Sequence, residues 1–257
     1  MFRNAYCTLE VLCRGQKNLQ KKGKEKMSLY LILMLVSFGS CFVLSFDKKV
    51  AFYKNIRFLI PAVLLVAIPF LIWDEFFTVN DIWGFNQTYL QGFYMGSLPL
   101  EEVLFFFLIP YCCVFIYEVL IAYFPNISLD TVTRIFSSVF VVSGILMSLL
   151  NLNNWYTMSA CSFAVLCAVF CIRGKYIWYP RAIFAFLVAM LPFLIVNGVL
   201  TGATTPSPIV WYNEAHIIGL RIVTIPVEDI FYNFGLLIPI IGIYHYFKAR
   251  RHGAAVK

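Results

Sequence analysis

Apolar residues fall along this chain in seven long blocks, roughly 28–46, 57–77, 98–121, 132–150, 155–172, 181–200 and 221–247, and the stretches between and outside them, the two termini above all, hold most of the charge. Each block approaches the ~20 residues a helix needs to cross a bilayer. None alternates polar and apolar with the period of two that a membrane barrel requires. Lipid offers no water to the backbone, so continuous apolar blocks must close their hydrogen bonds internally, as helices. The pattern predicts an all-α fold, a polytopic membrane bundle of about seven transmembrane helices. The gap between the fourth and fifth blocks is short, which makes those two a helical hairpin.

Composition agrees. Of 257 residues, 61% are hydrophobic and only 13% charged, with a mean hydropathy of +0.81. That leaves too little polar surface to cover a soluble domain. The formal net charge of +7 could suggest an anionic partner such as nucleic acid. Its placement argues otherwise. Lys48, Lys49, Lys54 and Arg57 follow the first block, Arg173, Lys175 and Arg181 the fifth, and Lys248, Arg250, Arg251 and Lys257 the seventh. The positive-inside rule makes those segments cytoplasmic. The loops after blocks two, four and six hold no Lys or Arg before Arg221 and so face the other side.

The first 26 residues conflict with this topology, because they carry Arg3, Arg14, Lys17, Lys21, Lys22, Lys24 and Lys26 where an outside N-terminus is expected. Either they form an amphipathic surface helix, or translation begins at Met27, directly before the first block. We read 1–27 as a basic N-terminal extension. No cleavage site follows the first block, so it does not read as a signal peptide. The eight cysteines form no CxxC pair and mostly lie within blocks, where a thiol is a small apolar filler.

The chain repeats itself. Ile68-Pro69-Phe70-Leu71-Ile72 matches Leu191-Pro192-Phe193-Leu194-Ile195 at an offset of 192 − 69 = 123, which also pairs Asp74 with Asn197 and Thr78 with Thr201. Farther on the offset is 226 − 99 = 127, pairing Phe85-Asn86 with Tyr212-Asn213 and Gly92 with Gly219. Four extra residues therefore belong in the second copy, around Ala203 to Pro208. Each copy is a three-helix unit, and one linking span between them makes the two parallel repeats. The expected divisions are 28–127 for the first repeat, 128–152 for the linking helix, 153–247 for the second repeat and 248–257 for a basic tail.

Within the repeat, Pro99-Leu100-Glu101-Glu102 returns as Pro226-Val227-Glu228-Asp229, each time opening an apolar helix. Proline and acids in a first turn also suit ordinary capping. Capping, however, needs one carboxylate, and both copies keep two. Intramembrane acids are costly and mark function. Neighbouring side chains on a helix diverge by about 100°, so one acid of each pair can face the interior and act as a proton donor. Aromatic residues crowd both motifs, and π-faces stabilise cations without trapping them.

These residues resemble a known family. The two acidic motifs, the Trp73-Asp74 to Thr78 stretch and its Asn197 to Thr201 counterpart are similar to the membrane-embedded, non-flavin lycopene cyclases, which occur as paired small subunits or as one fused polypeptide in bacteria, archaea and fungi. The resemblance covers about residues 28–247. It implies a fused lycopene β-cyclase, an isomerase (intramolecular lyase) that closes the linear ψ end groups of lycopene into β-ionone rings without net redox change. It further implies a bacterial inner membrane location, lycopene or a related linear carotenoid as substrate, membrane lipid and other carotenoid-pathway enzymes as partners, and no nucleic acid. The GxGxxG fingerprint of flavin-containing cyclases is absent, and we expect no cofactor and no metal. The candidate catalytic residues are Glu101, Glu102, Glu228 and Asp229, with Asp74 as relay or hydrogen-bond support. Trp73, Trp83, Phe105, Trp211, Tyr232 and Asn197 are expected against substrate. The alternative is a small seven-helix proton-coupled transporter, since intramembrane acids on paired repeats also describe such proteins. A retinal receptor lacks its lysine before Lys248, and a prenyltransferase lacks its Asp-rich motifs.

Overall fold

The computed structural model describes residues 27–252. The expectations for residues 1–26, including the start at Met27, and for Lys257 lie outside the described residues. Among the described residues seven α-helices carry the fold: α1 Leu29–Leu44, α2 Ile56–Val79, α3 Leu100–Tyr123, α4 Asp130–Leu150, α5 Trp155–Gly174, α6 Tyr179–Leu200 and α7 Glu228–His252. The last six are long and apolar enough to cross a membrane. This is a multi-pass membrane protein.

α1 is shorter than its block. Its 16 residues reach roughly 24 Å at ~1.5 Å per residue. The helix stops because Asp47 turns the chain, its Oδ1 accepting from the Lys49 and Val50 amides at 2.8 and 3.0 Å. Ser28, which caps α1, donates to Glu101 in the first turn of α3, while Asp47 accepts from Tyr123 in its last turn. The segment therefore runs parallel to α3 along its whole length.

Packing interlocks the two halves. α1 lies on α3, α5 on α7, and α4 forms the expected hairpin with α5. The middle helix of each half packs more extensively on the other half: α2 on α7, and α6 on α3. Pro69 and its match Pro192 sit inside α2 and α6, which stay continuous.

One end of the bundle is covered by short extended segments that the all-helical pattern did not foretell. They are β1 Trp83–Phe85, β2 Tyr94–Met95, β3 Leu98–Pro99, β4 Val210–Tyr212, β5 Arg221–Ile222 and β6 Ile225–Pro226. β2 and β3 form a hairpin that β5 and β6 reproduce in the same register, 127 residues on. β1 pairs antiparallel with β4, so that Gly84 lies opposite its own repeat counterpart, Trp211. A pseudo-two-fold axis thus passes through that pair. A Cβ on Gly84 would run into the Trp211 indole, so only one of the two positions can carry a side chain. The crossing bonds obey the same symmetry: Asn86 N–H donates to the Ile209 carbonyl at 2.8 Å and Asn213 N–H to the Ile82 carbonyl at 2.9 Å. The four extra residues of the second copy form a loop closed by Ile209 N–H on the Leu200 carbonyl.

Candidate active site

Both acidic pairs sit in the first turns of α3 and α7, beneath the extended cover. The members of each pair part company. Glu101 Oε1 accepts from Ser28 Oγ and the Gln91 amide, both at 2.7 Å. Glu228 Oε1 accepts from Thr157 Oγ1 at 2.6 Å and the Ile218 amide at 2.7 Å. Gln91 and Ile218 are repeat counterparts, so these buried acids each tether the same point of the cover to a helix of their own half. Neither lines the cavity described next.

Glu102 and Asp229 do line it. With Asp74 they border a cavity of about 60 Å³ whose walls include Tyr30, Trp83, Phe105, Tyr156, Tyr212 and Tyr232. Tyr30 donates to Glu102 at 2.5 Å, and Tyr156 to Asp229 at 2.6 Å. The symmetry then breaks. Asp229 Oδ2 also accepts from Asn197 Nδ2 at 2.6 Å and from Tyr212 at 2.9 Å. The counterparts of those donors in the first half are Asp74 and Phe85, a second acid and a ring with no hydroxyl. One end of the cavity therefore offers a carboxylate ringed by three donors, and the other two carboxyls with one tyrosine. Charge-assisted bonds of this kind are the strong ones. Burial, and then the neighbouring Asp229 charge, push the Tyr212 hydroxyl well above the ordinary range, which keeps it a donor.

Asp74 Oδ2 and the Tyr232 hydroxyl are buried without a protein partner. Such orphans are rare and costly, and here both belong to the cavity wall. The rings stand at angles to one another: Trp83 meets Tyr156 edge-on at 5.0 Å between centroids, and Tyr156 stacks on Tyr212 at 5.7 Å. The chamber can thus hold a proton, accept a proton and surround a cation with π-faces.

The lycopene cyclase family model matches residues 27–120 and again residues 153–247. The chain belongs to the lycopene cyclase family. Membership makes it an enzyme of carotenoid biosynthesis with a linear carotenoid substrate, built on an internal repeat, and sets the transporter alternative aside. Neither the curated proteins nor the solved structures give a match.

Of the residues expected at a cyclase site, Glu102, Asp229, Asp74, Trp83, Phe105, Tyr232 and Asn197 converge on the cavity. Trp73 lies behind it, its ring 5.3 Å from that of Tyr232. Trp211 is not brought there: it is 36% exposed and covers Gly84. Glu214, which differs from its counterpart Gln87, is also outside, paired on the surface with Arg221 at 2.6 Å. The tyrosines Tyr30 and Tyr156 were missed, although one stands near the start of the first helix of each repeat, at matched places. No metal-binding group of side chains occurs among the described residues, and the six cysteines there are free.

Proposed function

We propose that this protein is a fused lycopene β-cyclase, working by proton-initiated closure in a bacterial inner membrane, and that Glu102 and Asp229 divide the acid and base steps. The observation that carries the division is the inequality of hydrogen bonding. Asp229, with three donors, is satisfied as an anion. Glu102 and Asp74 share one hydroxyl donor between them, with the Trp83 indole beside Asp74, and are satisfied when one of the two holds a proton, the arrangement by which paired carboxyls separate their roles.

The step balances. The Glu102 carboxyl adds its proton to the terminal double bond of the ψ end, leaving a tertiary cation. The next double bond donates its electron pair, closing the six-membered ring and moving the cation to a ring carbon. Asp229 removes a neighbouring ring proton, which restores a double bond and yields the β end. No electron enters or leaves, so no redox partner is needed. A proton returned to Glu102, through Asp74 or water, resets the site. Trp83, Tyr156 and Tyr232 surround the cation with π-faces.

The experiment is pigment analysis of lycopene-producing cells. We expect wild-type protein to give β-ring carotenoid, and Glu102→Gln and Asp229→Asn to leave lycopene unchanged at normal membrane abundance, since amides keep the hydrogen bonds but cannot exchange the proton. Unchanged lycopene with the wild type would refute the activity, ε-ring product the choice of proton, and β-ring product from either amide variant that residue's role.

A further inference from the structure

The acid chamber continues into one half of the bundle and is shut off from the other. A second cavity, of about 260 Å³, descends from it between α1, α3 and α6. The two share Phe105, Phe193, Asn197 and Asn233 in their walls. The lower cavity is lined mainly by apolar side chains and thiols and reaches Ile116, 14 residues below Glu102, or roughly 21 Å along the helix. α1 and α6 both pack on α3 but scarcely touch each other, and Val36 and Pro192 on the two sides face outward. The groove therefore opens to lipid.

The repeat provides a matching place between α5, α7 and α2, and there the passage is filled. α1 and α5 correspond at an offset of 126, which pairs Tyr30 with Tyr156 and Cys41 with Cys167 and sets Phe163 where the first half has Ser37. The Phe163 ring lies 5.6 Å from Phe70 and 6.0 Å from Trp73, and both of those rings meet Tyr232, at 5.1 and 5.3 Å. Phe163 also lies over Gly235, where a Cβ would come within 2.8 Å of it and where the first half has Leu108. The farther part of the passage survives as a pocket beside Cys167 and Pro239, but it shares no wall residue with the acid chamber.

The geometry points to a one-sided substrate path: the unreacted polyene of the carotenoid lies in the α1/α3/α6 groove while its end group occupies the acid chamber, and the α5/α7/α2 side is closed by Phe163. The occupant must be long, apolar and uncharged, because the groove joins a lipid-facing opening to a polar chamber and holds no ionised wall residue. A one-sided path means that the end group always meets Glu102 and Asp229 in the same orientation, so that two unequal acids keep fixed roles. It also means that both ends of one carotenoid can be closed only by leaving and re-entering. The inference rests on the cyclase reading.

The test adds bulk to the open side. Ser37→Phe and Val196→Trp copy Phe163 and Trp73 into the first half, while Leu166→Trp adds the same bulk to the second-half pocket. Cyclisation and lycopene binding, read by quenching of tryptophan fluorescence, are measured in lycopene-loaded vesicles at equal protein. We expect Ser37→Phe or Val196→Trp to cut both by about tenfold or more, with Leu166→Trp close to wild type. Glu102→Gln should bind lycopene and not cyclise it. Two folded blocking variants that cyclise as wild type does, or a Leu166→Trp protein that does not, would overturn the path. Absence of cyclised product from wild type would overturn the cyclase reading alone, and the binding comparison would still decide the groove.

Discussion

Adjacent acids one residue apart do different work here, because a helix turns them to different surroundings. Glu101 spends one oxygen on Ser28 and the Gln91 amide, whereas Glu102 borders the cavity. A glutamine at 101 keeps an acceptor for both donors. We therefore expect Glu101→Gln to retain most cyclisation and Glu101→Ala to lose about 1–3 kcal/mol of stability through the unsatisfied donors. Product per unit of folded membrane protein separates this tether from Glu102, whose amide variant should be inactive. An inactive, normally folded Glu101→Gln would place Glu101 in the chemistry instead. Tyr212→Phe removes one of three donors to Asp229 and should lower kcat by about tenfold with KM unchanged, in single-substrate kinetics on vesicles.

At the scale of elements, the two hairpins show how matched positions diverge together. Gly96 and its counterpart Val223 both have positive φ, 67° and 59°, which suits glycine and strains a β-branched residue. Gly96 has a second reason to be glycine. Glu75 reaches the turn, accepting from the Ser97 amide at 3.0 Å, and a Cβ at 96 would stand 2.7 Å from its Oε1. In the second half Gly198 replaces Glu75, and Thr224 instead bonds Thr201 at 2.7 Å, which leaves room for valine. We expect Val223→Gly to raise thermal stability by about 1 kcal/mol and Gly96→Val to lower it by more, both read from unfolding in detergent. At the far end of α3, buried Glu118 accepts from Lys248 on α7 at 2.6 and 2.7 Å and from Tyr244 at 2.8 Å. Glu118→Ala should destabilise by about 1–3 kcal/mol, and the double replacement Glu118→Leu with Lys248→Met should regain most of it, since removing both partners leaves no orphaned charge.

The whole molecule depends on the exchange of middle helices, α2 onto α7 and α6 onto α3, together with the β1–β4 pairing across the axis. Cutting the chain between Asn151 and Asn154 and co-expressing the pieces should restore cyclisation, because helices inserted separately can reassociate by packing. Either piece alone should be inactive, lacking one acid and the helix that covers the other. β-ring product from residues 27–151 alone would place the site within one half. The sequence by itself determined the apolar blocks, the repeat and the acidic pairs, since each is a local pattern countable along the chain. It also pointed to Asp74, because that acid faces Asn197 in the repeat. Only the tertiary structure decided which acid of each pair turns to the cavity, that Trp211 covers Gly84 instead of lining the site, and which of two equivalent grooves is open. Those outcomes depend on what a neighbouring helix or strand presents: Tyr30 meets Glu102 across 72 residues, and the direction of a side chain is settled by the surface it packs against, which no spacing within its own helix contains.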